Sequence, residues 1–104
     1  MTAQVMTVFR NRLREEHLDE YHEWASRMDS LARSMPGFVD ASTFVGADGE
    51  RVTIVVFADP ASQRAWRDHP DHREAQSLGV ARFYATYSLL VGTVTHQSEF
   101  DAGR

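Results

Sequence analysis

The spacing of apolar residues switches between two and about 3.6 along this chain, and the order of those switches most constrains the fold. From Gln4 to Leu13 the residues alternate. Val5, Thr7, Phe9, Asn11 and Leu13 fall on one side, and Met6, Val8, Arg10 and Arg12 on the other, which is the period of a strand. From Glu16 to Ser34 the period lengthens: Leu18, Tyr21, Ala25, Met28 and Ala32 recur at helical spacing, and Trp24 and Leu31 widen the stripe. Pro36-Gly37 stops that helix. Phe38 to Val45 and Arg51 to Ala58 read as two strands joined by a turn at Ala47 to Glu50, with Asp48-Gly49 as the hairpin signal. Asp59 and Pro60 then suit the N-cap and first position of a helix that carries Ala61, Ala65 and Trp66 inward. Pro70 interrupts it, a further helical piece runs from Asp71 to Leu78, and Arg82 to Val94 forms the last strand.

The order is β-α-β-β-α-β, which predicts an α+β, ferredoxin-like domain: a four-stranded antiparallel sheet with two helices on one face. The domain spans residues 1–97, and 98–104 form a polar tail. The helices leave one sheet face bare, for which Met6, Val8, Val55, Phe57, Leu89 and Val91 are the candidates. One short chain has no further element to cover it. A homodimer packing sheet on sheet, so that the two sheets form a barrel-like core, is the expected solution.

Composition narrows the chemistry. A formal net charge of −4, with arginines interleaved among Asp and Glu, argues against nucleic acid, whose phosphates need a clustered basic surface. The absence of cysteine excludes disulfides, zinc–thiolate sites and thiol nucleophiles. No apolar run reads as a signal peptide or a membrane span, so a cytoplasmic protein is expected. Phosphate-loop, dinucleotide and nucleophile-elbow motifs are missing.

The groups that could carry chemistry are aromatic and polar. Trp66-Arg67-Asp68-His69-Pro70-Asp71-His72 places an indole and two imidazoles on a short helix, ahead of Phe83-Tyr84-Ala85-Thr86-Tyr87. His69 and His72 are three apart, and either could act as a general base near pH 7; His72 is preferred. Asn11 is unusual in a strand and shares the face of Phe9. Two histidines without a clear third ligand do not make a metal site.

With Met35-Pro36-Gly37-Phe38 and Val55-Val56-Phe57, these segments resemble the antibiotic-biosynthesis-monooxygenase-like domains of the dimeric α+β barrel superfamily, over roughly Gln4 to Val94. The resemblance implies a pocket between helices and sheet in which a planar phenolic, quinol or anthrone-like molecule meets dioxygen without a cofactor. On that reading Asn11, Trp66 and His72 are catalytic, and Phe9, His69, Gln76, Phe83 and Tyr84 bind substrate. The alternatives are haem binding or degradation, or a small-molecule-binding domain without turnover. Haem-degrading relatives use an Asn-Trp-His set. Asn11 and Trp66 match its first two members, whereas Gln76 stands where the axial histidine would fall.

Overall fold

The structure, a computed structural model, describes residues 3–103, so Met1, Thr2 and Arg104 of the expected domain and tail lie outside the described residues. The strands are β1 (Val5–Leu13), β2 (Phe38–Val45), β3 (Arg51–Phe57) and β4 (Tyr84–Thr93). The helices are α1 (Leu18–Ser34), α2 (Pro60–Arg67) and α3 (Pro70–Leu78), and a π-helical turn, Gly79–Phe83, leads into β4. The sheet order is β2-β3-β1-β4 with every neighbouring pair antiparallel, the expected ferredoxin-like arrangement. Residues 94–103 have no regular structure, and Phe100 in that tail is exposed.

Residues directly opposite in an antiparallel pair share a face, so the register sorts the side chains. On the helix side Val5 faces Phe57, Thr7 faces Val55, Phe9 faces Thr53 and Asn11 faces Arg51. The core gathers there: Ala32, Ala41, Val55, Phe57 and Trp66, with Met35 and Phe38 packed against them. The expected composition of the bare face is corrected accordingly. Val55 and Phe57 point into the helix layer, and Leu89 and Val91, opposite Phe9 and Thr7, share that side though they stay exposed on the edge strand. Read by register, the bare face carries Met6, Val8, Val52, Ile54 and Val56, with Phe44 and Leu90 on the outer strands. The apolar run of β3 hides the parity of its side chains, which only pairing with β1 reveals.

The helix boundaries have local causes. His17 takes a left-handed conformation (φ 64°), so α1 starts at Leu18 rather than at Glu16. Asp59 caps α2 by accepting from the Ser62 backbone N–H at 2.8 Å. α2 buries Gln63 and Trp66, whereas Ala61 and Ala65, expected inward, are exposed. Pro70 divides the second helical region into two pieces, as its missing N–H and fixed φ require. β4 begins at Tyr84 instead of Arg82, because the π-helical turn takes up the residues before it.

That turn is fastened from β1's end. The Arg14 guanidinium donates to the carbonyls of Tyr84 (2.9 Å), Ala81 (3.2 Å) and Val80 (3.1 Å), and the Arg14 backbone N–H donates to Phe83 at 2.8 Å. These are carbonyls that a helix end would otherwise leave unpaired.

Candidate functional site

The helix-facing side of the sheet carries two clusters of aromatic and polar groups. The first stands over the row formed by Tyr87, Asn11 and Arg51, which are opposite one another on β4, β1 and β3. Asn11 is 2% exposed, and its carbonyl oxygen has no hydrogen-bond partner. The Arg51 guanidinium carbon lies 5.4 Å from the centre of the buried Tyr21 ring, and its Nε is buried without a partner. Phe9 meets Tyr84 edge-on at 5.2 Å and Tyr87 at 5.6 Å, and Tyr21 meets Phe83 at 5.7 Å. Burial, reinforced by Tyr21, pushes the Tyr84 hydroxyl well above its ordinary pKa, and Arg51 opposes the rise. Tyr84 therefore stays a neutral donor. Its ring lies over Gly79, where an added Cβ would overlap the ring carbons.

The second cluster forms where α2 meets α3. Trp66 packs on Phe57 at 5.3 Å, and the His72 imidazole lies 4.4 Å from the indole at an interplanar angle of 30°. Burial lowers the pKa of His72, with its contact to the Arg67 carbonyl opposing and nearby His69 adding to the fall, so the ring is neutral at pH 7. Its Nδ1 lies 3.1 Å from the Arg67 carbonyl oxygen and 3.2 Å from the Gln76 amide. A carbonyl can only accept, so Nδ1 carries the proton and Nε2 the free lone pair. The Gln76 Nε2 that lies 3.2 Å from the same nitrogen then finds no lone pair there. The Trp66 indole N–H is buried without a partner.

The predicted residues thus divide. Phe9, Asn11, Phe83 and Tyr84 come together at one end, and Trp66, His72 and Gln76 at the other. Asn11 lies six residues along β1 from Val5, the partner of Phe57, which is about 20 Å at the rise of a strand. His69 belongs to neither cluster: its Nδ1 accepts from the Asp71 backbone N–H at 3.1 Å and caps α3. Between the clusters lies the buried Thr7 hydroxyl, also unpartnered. Thr7 Oγ1, Asn11 Oδ1, Arg51 Nε and Trp66 Nε1 therefore form a seam of unsatisfied polar atoms along the interior face. A buried group left unpaired costs about 1–3 kcal/mol, so such a row marks a place where water or a ligand belongs.

Two surface hollows lie away from the seam. A surface hollow of about 400 Å³ between α1 and α3 is lined by Ser26, Ser30, Ser34 and Asp71 among others, and one of about 170 Å³ by Gln4 and Val94 to Gln97. Neither reaches Asn11, Trp66 or His72. Among the described residues, no three His, Asp or Glu side chains gather as a metal site would need.

Sequence reasoning did not single out Arg51. The signal was the two-residue alternation Arg51, Thr53, Val55, Phe57, which puts the arginine on the face of a core phenylalanine. Thr7 and the clamp made by Arg14 left no comparable trace.

The profile of the antibiotic biosynthesis monooxygenase family matches residues 4–78, and the chain belongs to that family. It is 32% identical over 88 residues to the uncharacterised protein YqjZ of Bacillus subtilis, covering 85% of this chain and 77% of that protein. The fold is similar to that of SnoaB, a cofactor-independent oxygenase from Streptomyces nogalater. The TM-score is 0.76 at 19% identity, over 92% of this chain and 97% of SnoaB. It is also similar to a dimeric ferredoxin-like protein of unknown function from Thermobifida fusca, with a TM-score of 0.71 at 14% identity, over 90% of this chain and 93% of that one.

Proposed function

We propose that this chain is a cofactor-independent monooxygenase that oxidises a planar phenolic, quinol or anthrone-like molecule with dioxygen, working as a homodimer. The observation that carries the reading is the seam of unpartnered polar atoms between two aromatic clusters, with a neutral imidazole at one end. Family membership and the fold shared with SnoaB support it. A flat aromatic molecule stacks on the indole or phenol rings, and its oxygens meet those unpartnered atoms of the seam that lie within its own length. It reaches them by displacing α3, none of whose residues is buried.

His72 Nε2 takes a proton from the substrate, leaving an electron-rich anion. For an anthrone, one electron passes from that anion to dioxygen, and the two radicals join as a carbon–oxygen bond. The proton returns to the distal oxygen, giving a hydroperoxide. The O–O bond then breaks with loss of the remaining C–H proton, and water leaves. One anthrone and one dioxygen give one quinone and one water, with no outside reductant.

Haem is poorly served by these residues. They offer one free imidazole nitrogen, His72 Nε2, on a ring covered by Trp66. Among the described residues, no helix is long and apolar enough to cross a membrane.

The test is oxygen uptake with 1,8-dihydroxyanthrone, corrected for spontaneous oxidation. One dioxygen consumed per quinone formed is expected, with the rate falling about 10²- to 10⁴-fold in His72→Ala, the usual contribution of a general base. No uptake above background would sink the oxygenase reading. An unchanged rate in both His72→Ala and Asn11→Ala would remove these residues from the mechanism.

A further inference from the structure

Arg51 is an anomaly among the arginines. Of the described arginines only Arg51 and Arg82 are half-buried, and Arg82 is paired with Glu20 at 2.7 Å. Exposed Arg10, Arg12, Arg33 and Arg67 each hold a carboxylate within 3.0 Å. Arg51 has none within 4.0 Å among the described residues, and faces the Tyr21 ring instead. A partly desolvated cation without a counter-ion is costly, and it is commonly kept where a ligand supplies the missing charge.

The neighbouring orphan says what shape that ligand has. Asn11 Oδ1 is an acceptor without a donor, and Arg51 Nε–H is a donor without an acceptor. They are directly opposite each other on β1 and β3 and face the same interior. A group that donates once and accepts once satisfies both, and a hydroxyl does so. The walls are the rings of Tyr21, Phe9 and Tyr84, which suit a hydroxyl carried by an aromatic ring.

We infer that Asn11 and Arg51 form a recognition site for one ring hydroxyl of the substrate, and that Arg51 stabilises this hydroxyl as its anion. The inference rests on the oxygenase reading and extends it: activation of the substrate begins at the end of the seam remote from His72. The hydroxyl first donates to Asn11 Oδ1 and accepts from Arg51 Nε–H. When its O–H bond breaks, the proton leaves to bulk water and the oxygen keeps the electron pair beside the guanidinium. The Asn11 amide then turns end for end and offers its N–H.

The probe is 2-hydroxyanthraquinone, which is already a quinone and so is not oxidised at that centre, and whose colour reports ionisation of its hydroxyl. With the full chain, the wild type should bind it about 10- to 100-fold more tightly than anthraquinone, the range for one hydrogen bond to a charged group. Its pKa should fall by about 1–3 on binding, as an opposite charge a few ångströms away produces. Arg51→Gln should abolish the fall, and Arg51→Lys should keep most of it. Asn11→Asp is nearly isosteric and gives Arg51 a carboxylate of its own, so it should raise the bound probe's pKa above the wild-type value. Circular dichroism checks that each variant is folded, and Asn11→Asp carries the test should Arg51→Gln unfold. Equal binding of the two quinones, or a fall in pKa that survives Arg51→Gln or Asn11→Asp, would overturn this inference while leaving oxygen uptake as the separate test of the oxygenase. Failure of the wild type to bind the probe would also overturn it.

Discussion

Replacing Asn11 by leucine should make the ligand-free protein more stable and less active. The amide is 2% exposed and its oxygen has no partner, so folding strips it of water without return. Leaving such an acceptor unpaired costs about 1–3 kcal/mol, and an apolar group of similar shape avoids that cost. Leucine also buries methyl groups in place of the amide, whereas a slightly larger side chain in a buried layer returns part of the gain as strain. A net stabilisation of about 1–2 kcal/mol follows, which for a domain near 100 residues is about 4–16 °C in Tm. The measurement is urea unfolding of both proteins at one concentration, because the stability of a protein that pairs with a second copy depends on concentration. A higher midpoint at unchanged slope is the expected result. A destabilisation above about 1 kcal/mol would refute the reasoning, since it would mean that the amide is paired in the folded interior.

Four further outcomes follow from other parts of the molecule. Gly79→Ala should drive the Tyr84 ring from its place, lowering activity and altering tyrosine near-ultraviolet circular dichroism, while far-ultraviolet helix and strand signals persist. Arg14→Gln removes donors to three carbonyls of the π-helical turn, and should cost about 1–2 kcal/mol, because these bonds are to a charged group but lie exposed. Hydrogen exchange should rise at Val80 to Tyr84 before it rises in β1. His72 has its pKa lowered by burial, so the unfolded chain binds more protons below its ordinary value of 6.5. Its contribution is therefore complete above pH 6.5 and is lost as pH falls through the lowered native value, a slope that His72→Gln should remove in unfolding experiments across that range. Leu90→Arg places a charge on the bare sheet face, where Leu90 is 70% exposed and opposite Val8, and light scattering should find the protein shifted from dimer to monomer.

The fold was legible because its signals are local and agree with one another. The alternation of Val5 to Leu13, the Pro36-Gly37 stop, the Asp48-Gly49 turn and the Asp59-Pro60 helix start each fix one element, and their order leaves few topologies. Where a local signal was flat, the expectation failed. Arg51 to Phe57 has apolar side chains on both faces, so its inward residues could not be told from its outward ones, and Val55 and Phe57 were placed on the wrong side. The π-helical turn has no sequence period of its own, and its stabilisation comes from Arg14, far away in sequence. The site was legible only in part for the same reason. Asn11, Trp66 and His72 stood out by residue type, but nothing in their spacing showed that Asn11 lies at the far end of the sheet from the other two.

That separation bears on how the site works. Were Asn11, Trp66 and His72 one catalytic cluster, the remaining interior could have been fully apolar, and Thr7 and Arg51 could have been replaced by valine and leucine with a gain in stability. The chain instead keeps unpaired polar atoms along the whole face, at a cost spread over Thr7, Asn11, Arg51 and Trp66. The hairpin beside them shows the opposite economy: Arg10 meets Glu50, and Arg12 meets Asp48, at 2.7 Å each. Arg10 and Arg12 are matched within the chain, and the four atoms of the seam are not. A substrate held by neighbouring atoms of the seam would have its reacting carbon fixed beside them, so that removing one of those partners should lower the turnover rate as well as the affinity.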